Sequence, residues 1–217
     1  METVIITAGG IGKRMEAAIP KQFIELSGTP ILMHTLACFH TYNPSIQLIL
    51  TLPNDWISYW EELCTKHQFN VQHTIVEGGV ERYDSIKNAL KIATGTIIGV
   101  HDGVRPLVST ATIQRTFDAA LMHKAAIPYL TIHESLRQRT ENSSHAVNRS
   151  EFVCVQTPQC FEREVLIKAY AQPYHQGITD DASLVEQLGQ EIFLVLGNEE
   201  NIKITTPNDL KIAQLFI

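Results

Sequence analysis

Gly9, Gly10 and Gly12 stand just ahead of Lys13, Arg14 and Lys21, an order of residue types that suits a polyphosphate ligand. Glycines let the backbone approach a ligand closely and turn its N–H groups toward an anion. The cations that follow can neutralise phosphate charge. Ahead of the loop, Val4-Ile5-Ile6-Thr7 is an apolar, mostly β-branched run that reads as a buried first strand. A strand opening into such a loop presents its amides to an anion. The segment therefore reads as a nucleoside triphosphate site. A ligand-free glycine turn is the competing reading, weakened by Arg14, by Pro20-Lys21 and by the preceding strand. Two familiar glycine loops are excluded. The P-loop needs Gly-Lys followed by Ser or Thr, whereas Gly12-Lys13 is followed by Arg14. The dinucleotide fingerprint needs a third glycine where this chain has Met15.

Further along, Asp102 ends an apolar run, Ile97 to Val100, that reads as a strand. A carboxylate there can coordinate Mg²⁺ through oxygen while a triphosphate supplies other ligands. Its bland alternative is a turn or helix-capping carboxylate. Gly78, Gly79, Arg82 and Ser85 form a second turn-plus-helix element. Asp180 and Asp181 precede an expected helix, residues 182–188, where capping is their ordinary role.

The elements that must position these residues alternate. Strands are expected at 46–52, 71–76, 97–100 and 125–129, and helices at 30–40, 55–66, 81–93 and 110–123. The aromatic stripe Trp56, Tyr59, Trp60 and Leu63 reads as core packing rather than a base-stacking platform. Repeated βα units imply an α/β fold: a mostly parallel twisted sheet with helices on both faces. Ligands in such sheets sit at the carboxyl ends of strands, where both Gly9–Gly12 and Asp102 fall. Residues 131–151 break the rhythm. Polar and apolar residues alternate over 131–137, turn chemistry follows at Glu141-Asn142-Ser143-Ser144, and the stretch reads as a projecting β-hairpin arm. A lone hairpin is marginal in water unless covered, so it is expected to pack on a second subunit.

Composition bounds the classes. The 217 residues, 44% hydrophobic and 18% charged, suit one globular domain spanning 1–217. No apolar run approaches the roughly 18 residues of a membrane span, and the N-terminus lacks a basic, signal-like start. A cytoplasmic protein is expected. A net charge of −6 argues against a general nucleic-acid surface. Cys38, Cys64, Cys154 and Cys160 are widely spaced, without a C-x-x-C pair, and read as incidental thiols.

The run A-G-G-x-G-x-R-M followed by P-K-Q-F resembles the signature of the 2-C-methyl-D-erythritol 4-phosphate cytidylyltransferases. The likeness continues through Glu77-Gly78-Gly79, His101-Asp102-Gly103-Val104-Arg105-Pro106, Gln156-Thr157-Pro158-Gln159, Ile178 to Ser183 and Asn201 to Thr205, in family order. It implies a Rossmann-like nucleotidyltransferase fold and transfer of a cytidylyl group from CTP to a sugar-alcohol phosphate, with Mg²⁺. A phosphate nucleophile is already an anion near neutral pH, so the reaction needs positioning and charge neutralisation rather than a general base. His101 accordingly has no acid–base role. By resemblance, Arg14 and Lys21 are catalytic. Ala8, Gly9, Gly10, Gly12, Gly79, Ser85 and Asp102 hold the nucleotide, and Asp102 also holds the metal. Arg105, Ser135, Arg149, Thr157, Thr179 and Lys203 serve the acceptor, although Arg105 could instead order its loop. Ser135 stands where many members have Thr. Ser135 and Arg149 would come from the arm of a partner in a homodimer. Val80 replaces an acid that some members carry after the second glycine, so any contact made by that carboxylate is absent or replaced.

Ribitol 5-phosphate is the rival acceptor, and the Asn148-Arg149-Ser150-Glu151 stretch favours the methylerythritol enzymes. A nucleotide-binding regulatory module without turnover is the alternative of another class; Arg14, Lys21 and Asp102 argue against a degenerate site. A dinucleotide oxidoreductase is the weakest, lacking the third glycine and an acid ending the second strand.

Overall fold

The computed structural model describes residues 1–10 and 19–217. The chain runs through β1 (Glu2–Thr7), a small hairpin of β2 (Glu25–Leu26) and β3 (Thr29–Pro30), α1 (Ile31–Tyr42), β4 (Gln47–Leu52), α2 (Ile57–Lys66), β5 (Thr74–Glu77) and α3 (Arg82–Leu90). It continues through β6 (Ile97–Asp102), α4 (Thr110–His123), β7 (Ala125–Thr131), an arm hairpin of β8 (Arg137–Arg139) and β9 (Ser144–Ala146), β10 (Val153–Val155) and β11 (Gln159–Glu162). It ends with α5 (Arg163–Ala169), α6 (Asp181–Glu186), β12 (Phe193–Leu196) and α7 (Pro207–Ala213).

Eight strands form one sheet in the order β10-β7-β11-β6-β1-β4-β5, with β12 also paired to β7. Strands β5, β4, β1 and β6 run parallel, and β12 runs parallel to β7. The antiparallel insertions are β11, between β6 and β7, and β10, along the outer part of β7. The mostly parallel sheet expected from the βα rhythm is thus present. Its apolar strands are buried on both faces. Val4 and Ile6 of β1 pack with Leu36 and Phe39 of α1, Trp60 of α2 and Phe117 of α4. Ile5, pointing the other way, packs with Ile86 and Ala89 of α3, Leu166 of α5 and Leu184 of α6. Period-two side-chain alternation makes one strand serve two cores.

Most elements keep their expected places within one or two residues; β5 and α3 differ for identifiable reasons. The sequence predicts a strand over 71–76, but the ladder on β4 starts at Thr74. Ahead of it, Trp60 Nε1 donates to His73 Nε2 at 2.9 Å and His73 Nδ1 lies 2.7 Å from the Val71 carbonyl. These bonds fasten 71–73 to α2 instead of to the sheet. α3 is shorter than the expected 81–93 at both ends: Glu81 is its N-cap, in a reciprocal capping box with Asp84, and after Leu90 the amides of Lys91 and Ile92 turn back to Asn88 and Ala89.

The arm is a sheet of its own, β8 paired only with β9. It extends from the ribbon made by β7 and β10, where Thr131 faces Val153 and Tyr129 faces Val155. Arg137 closes it by donating to the hydroxyl and carbonyl of Ser144, both at 2.8 Å. Most of residues 133–151 are exposed. No helix among the described residues is long and apolar enough to cross a membrane. The four cysteines are free thiols, with Cys160 fully buried and its ionisation suppressed by that burial.

Candidate active site

A cleft of about 320 Å³ opens at the carboxyl ends of β1, β4 and β6. Thr7, Ala8, Gly9, Gly10, Lys21, Gly79, Ser85, Asp102 and Lys203 all line it. The expected nucleotide residues therefore meet in one place, joined by Lys203 from the far end of the chain. Gly12, Lys13 and Arg14 lie outside the described residues.

Each wall has a local cause. Lys21 begins a single 3-10 turn, Lys21–Phe23. Phe23 is buried against Trp56, Tyr59 and Trp60, with ring centroids 5.3–6.2 Å apart. Burying such a ring is worth about 1.5–3 kcal/mol. Between Lys21 and Phe23, Gln22 Nε2 donates to the Ala8 carbonyl at 2.6 Å. The aromatic stripe is thus core, as expected, and through Phe23 it anchors the turn that carries Lys21 to the cleft.

On the opposite wall, Gly78 N donates to Leu52 O at 2.7 Å and Gly79 N to Ser85 Oγ at 3.0 Å. A Cβ on Gly79 would fall 2.2 Å from the Asp84 Cβ, so only glycine fits this turn. Ser85 is buried and also donates to Glu81 O at 3.2 Å. Its hydroxyl shapes the turn as well as facing the cleft. Val80 is 95% exposed at the cleft mouth and offers no charge where some relatives place an acid.

Asp102 forms the floor. Its Oδ2 receives Arg105 Nε at 3.0 Å and Lys203 Nζ at 3.2 Å. Burial opposes its ionisation, but Lys203, Arg105 and Arg82 together hold the carboxyl well below the usual carboxylate range. Its carboxylate is an oxygen donor of the kind a magnesium ion takes, and a bound triphosphate would supply the other oxygens and the negative charge that offsets the surrounding cations. Among the described residues no three acidic, His or Cys side chains cluster as an all-protein metal cage.

Behind Asp102 lies a buried polar layer. Thr157 Oγ1 accepts from Asp102 N at 3.2 Å and lies 2.9 Å from His101 Nδ1. Asn201 Nδ2 donates to Thr157 O at 2.8 Å. The Asn201 carbonyl in turn accepts from Arg105 Nη1 at 2.8 Å. Thr157 and Arg105 therefore support Asp102 from behind, and neither lines the cleft. For Arg105 this geometry favours loop ordering over phosphate contact. His101 is wholly buried, and that burial lowers its pKa to about 4, so it stays neutral.

The remaining acceptor residues lie apart. Thr179 lines a neighbouring hollow with Arg82, Tyr83 and Tyr174. Ser135 and Arg149 are exposed on and beside the arm, and Arg149 donates to the His133 carbonyl. Neither borders the cleft of its own chain. Sequence reading does not single out Gln22 or Asn201, although both fall inside the matching blocks. A buried amide whose job is to bond backbone leaves no spacing signal.

Comparison with known proteins bears on this arrangement. The family model described as IspD, 2-C-methyl-D-erythritol 4-phosphate cytidylyltransferase, matches residues 2–217. The chain belongs to that family. Among cytidylyltransferases of this name, that of Bacteroides fragilis is 46% identical over 216 residues, covering 99% of both chains. That of Porphyromonas gingivalis is 47% identical over 215 residues, 98% of this chain and 96% of the relative. The crystal structure of the Thermus thermophilus cytidylyltransferase superposes with a TM-score of 0.83 at 32% identity, covering 100% of this chain and 98% of the other. The Rossmann-like α/β nucleotidyltransferase fold is shared by these cytidylyltransferases.

Proposed function

We propose that this cytidylyltransferase joins CTP and 2-C-methyl-D-erythritol 4-phosphate, giving 4-diphosphocytidyl-2-C-methyl-D-erythritol and pyrophosphate, for isoprenoid precursors by the non-mevalonate pathway. The observation that carries this reading is the meeting of the glycine loop, Lys21, Gly79, Ser85, Asp102 and Lys203 in one cleft. In it a phosphate oxygen of the acceptor attacks the α phosphorus of CTP, forming the new P–O bond as the bond to pyrophosphate breaks.

The backbone at Ala8, Gly9 and Gly10 holds the phosphates, with Gly12 completing the loop. Gly79 and Ser85 hold the cytidine. Arg14 and Lys21 neutralise charge that develops around the α phosphate and the leaving group, Arg by a planar grip and Lys as a compact charge. Asp102 would hold a magnesium ion, which when bound supplies Lewis-acid neutralisation of the triphosphate. Lys203 stands 3.2 Å from Asp102 and can bridge from this floor to the acceptor phosphate. Arg105 and Lys203 keep Asp102 ionised, and Thr157 fixes its backbone amide. Thr179 would meet the acceptor from the neighbouring hollow that it lines with Arg82.

Residues 1–217 act as one catalytic unit, and the arm at 131–151 completes a homodimer. Ser135 and Arg149 then serve the partner subunit's cleft. This accounts for an exposed guanidinium beside a hairpin that pairs with no other strand among the described residues. A cytoplasmic location, where CTP is available, fits this role.

The test is pyrophosphate release from CTP and Mg²⁺ with 2-C-methyl-D-erythritol 4-phosphate or ribitol 5-phosphate. Release with the first alone is the expected result. Release with ribitol phosphate alone would keep the mechanism and change the pathway. Tight CTP binding with no release under either acceptor would overturn the enzymatic reading.

A further inference from the structure

The cleft and the hollow beside it share Arg82, and one ion pair with a fully buried carboxylate ties their walls together. Arg82 is the first residue of α3, directly after the turn carrying Gly79. Its Nη1 and Nη2 donate to Asp181 Oδ1 and Oδ2 at 2.9 and 2.7 Å. Asp181 opens α6, two residues after Thr179, and its side chain is completely buried. Tyr170 OH donates to the same carboxylate. The Asp181 amide donates to Gln159 Oε1 at 3.1 Å, and Gln159 Nε2 donates to Asp180 Oδ2 at 2.8 Å. Gln159 follows Thr157-Pro158, and Thr157 meets the Asp102 amide. An unbroken line of bonds thus runs from the glycine turn, through Arg82, Asp181 and Gln159, to Asp102.

A surface pair would carry little, because water screens it. Here Asp181 is fully buried and the half-exposed guanidinium engages both of its oxygens, so removing Arg82 leaves an uncompensated buried charge. Replacing both charges relieves that penalty while removing the bidentate link. Stability and linkage can therefore be separated experimentally.

We propose that Arg82 and Asp181 are positioning residues: their bidentate pair fixes the acceptor loop at Thr179 relative to the cytidine turn at Gly79, so that occupancy of the nucleotide side prepares the acceptor side. The inference rests on the reading of the cleft given above. Neither residue reacts. Arg82 lines the cleft but commits its fork to Asp181, and Asp181 is shielded from substrate. The pair acts through the loops at its ends.

The experiment uses the full chain with CTP, Mg²⁺ and 2-C-methyl-D-erythritol 4-phosphate, comparing wild type, Arg82→Met and Arg82→Met/Asp181→Asn. CTP binding without acceptor is measured by calorimetry, acceptor KM at low and saturating CTP by pyrophosphate release, and folding by thermal melting. The single variant is expected to melt well below wild type. The double variant should regain most of that loss and keep CTP affinity within about threefold of wild type. Its acceptor KM should stay raised by about tenfold, and the CTP dependence of that KM should vanish. Return of acceptor KM and its CTP dependence along with stability would overturn the proposal and leave the pair a purely structural one. Equal loss of CTP and acceptor binding would overturn it as well. Failure of wild type to release pyrophosphate would instead count against the reading of the cleft.

Discussion

The floor of the cleft and the arm are built in opposite ways. Around Asp102, strands β1 and β6 are paired along their whole length, the side chains are buried, and the polar groups bond one another. The arm has two three-residue strands, its own cross-strand bonds and little cover. Both carry residues assigned to one reaction. The floor is organised by the fold of a single chain, whereas under the proposed function the arm joins a site only through a second copy. Electrostatic catalysis requires groups held in place before the reaction, and only the floor meets that condition alone.

Cutting out the arm is the strongest way to break this contrast. Replacing residues 136–147 with a short glycine turn should lower kcat/KM by about 10³-fold or more, while the melting temperature moves by only about 5 °C. Sedimentation is expected to show wild type as a dimer and the shortened variant as a monomer. A large fall in melting temperature with full activity in the survivors would reverse the assignment of the two regions.

Asp102→Asn attacks the floor instead. Turnover should drop by about 10²–10³-fold, and stability should fall too, because Lys203 and Arg105 lose a buried counter-charge. Lys21→Ala should cost about 10²-fold in kcat with a much smaller change in CTP affinity. Equal losses in both would remove its transition-state role. For Arg149→Ala, a rise in acceptor KM of about tenfold is expected, with CTP affinity and melting temperature unchanged. A pure CTP defect would contradict its place on the acceptor side.

The floor should also show a pH dependence of its own. His101 has its pKa lowered to about 4 by burial, so below about pH 6.5 the unfolded chain takes up a proton that the folded chain refuses. Stability should therefore fall as pH drops from about 6.5 to about 4, by about 3 kcal/mol from this one group. The Asp102 stabilisation runs the same way at lower pH, being present above about 4 and lost as its depressed pKa is approached. Urea unfolding of His101→Gln between pH 7 and 4 should show the shallower slope.

Legibility in the sequence follows the same division. The apolar runs of β1, β4 and β6 and the helical spacing of α1 and α4 are readable because burial on both faces imposes a period and a composition. The end of β6 at Asp102 is readable for the same reason. The start of β5 is not, because the bond from Trp60 to His73 fastens the segment ahead of it and leaves no mark on periodicity. Arg105 looks like a phosphate ligand by type, yet the structure engages it with Asp102 and the Asn201 carbonyl. A side chain's chemistry is legible in a sequence; the partner that occupies it is not.

The sequence by itself determined the alternation of strands and helices, the glycine loop with its cations, and membership of a nucleotidyltransferase family, because propensity, periodicity and contiguous motifs are local properties of a chain. Only the tertiary structure decided that Lys203 comes to Asp102 from the far end of the chain, that Phe23 anchors the Lys21 turn in an aromatic core, and that Arg82 grips Asp181 from the wall of the cleft. Those pairings depend on which strands become neighbours, and strand order is set by the packing of the whole chain rather than by any segment of it.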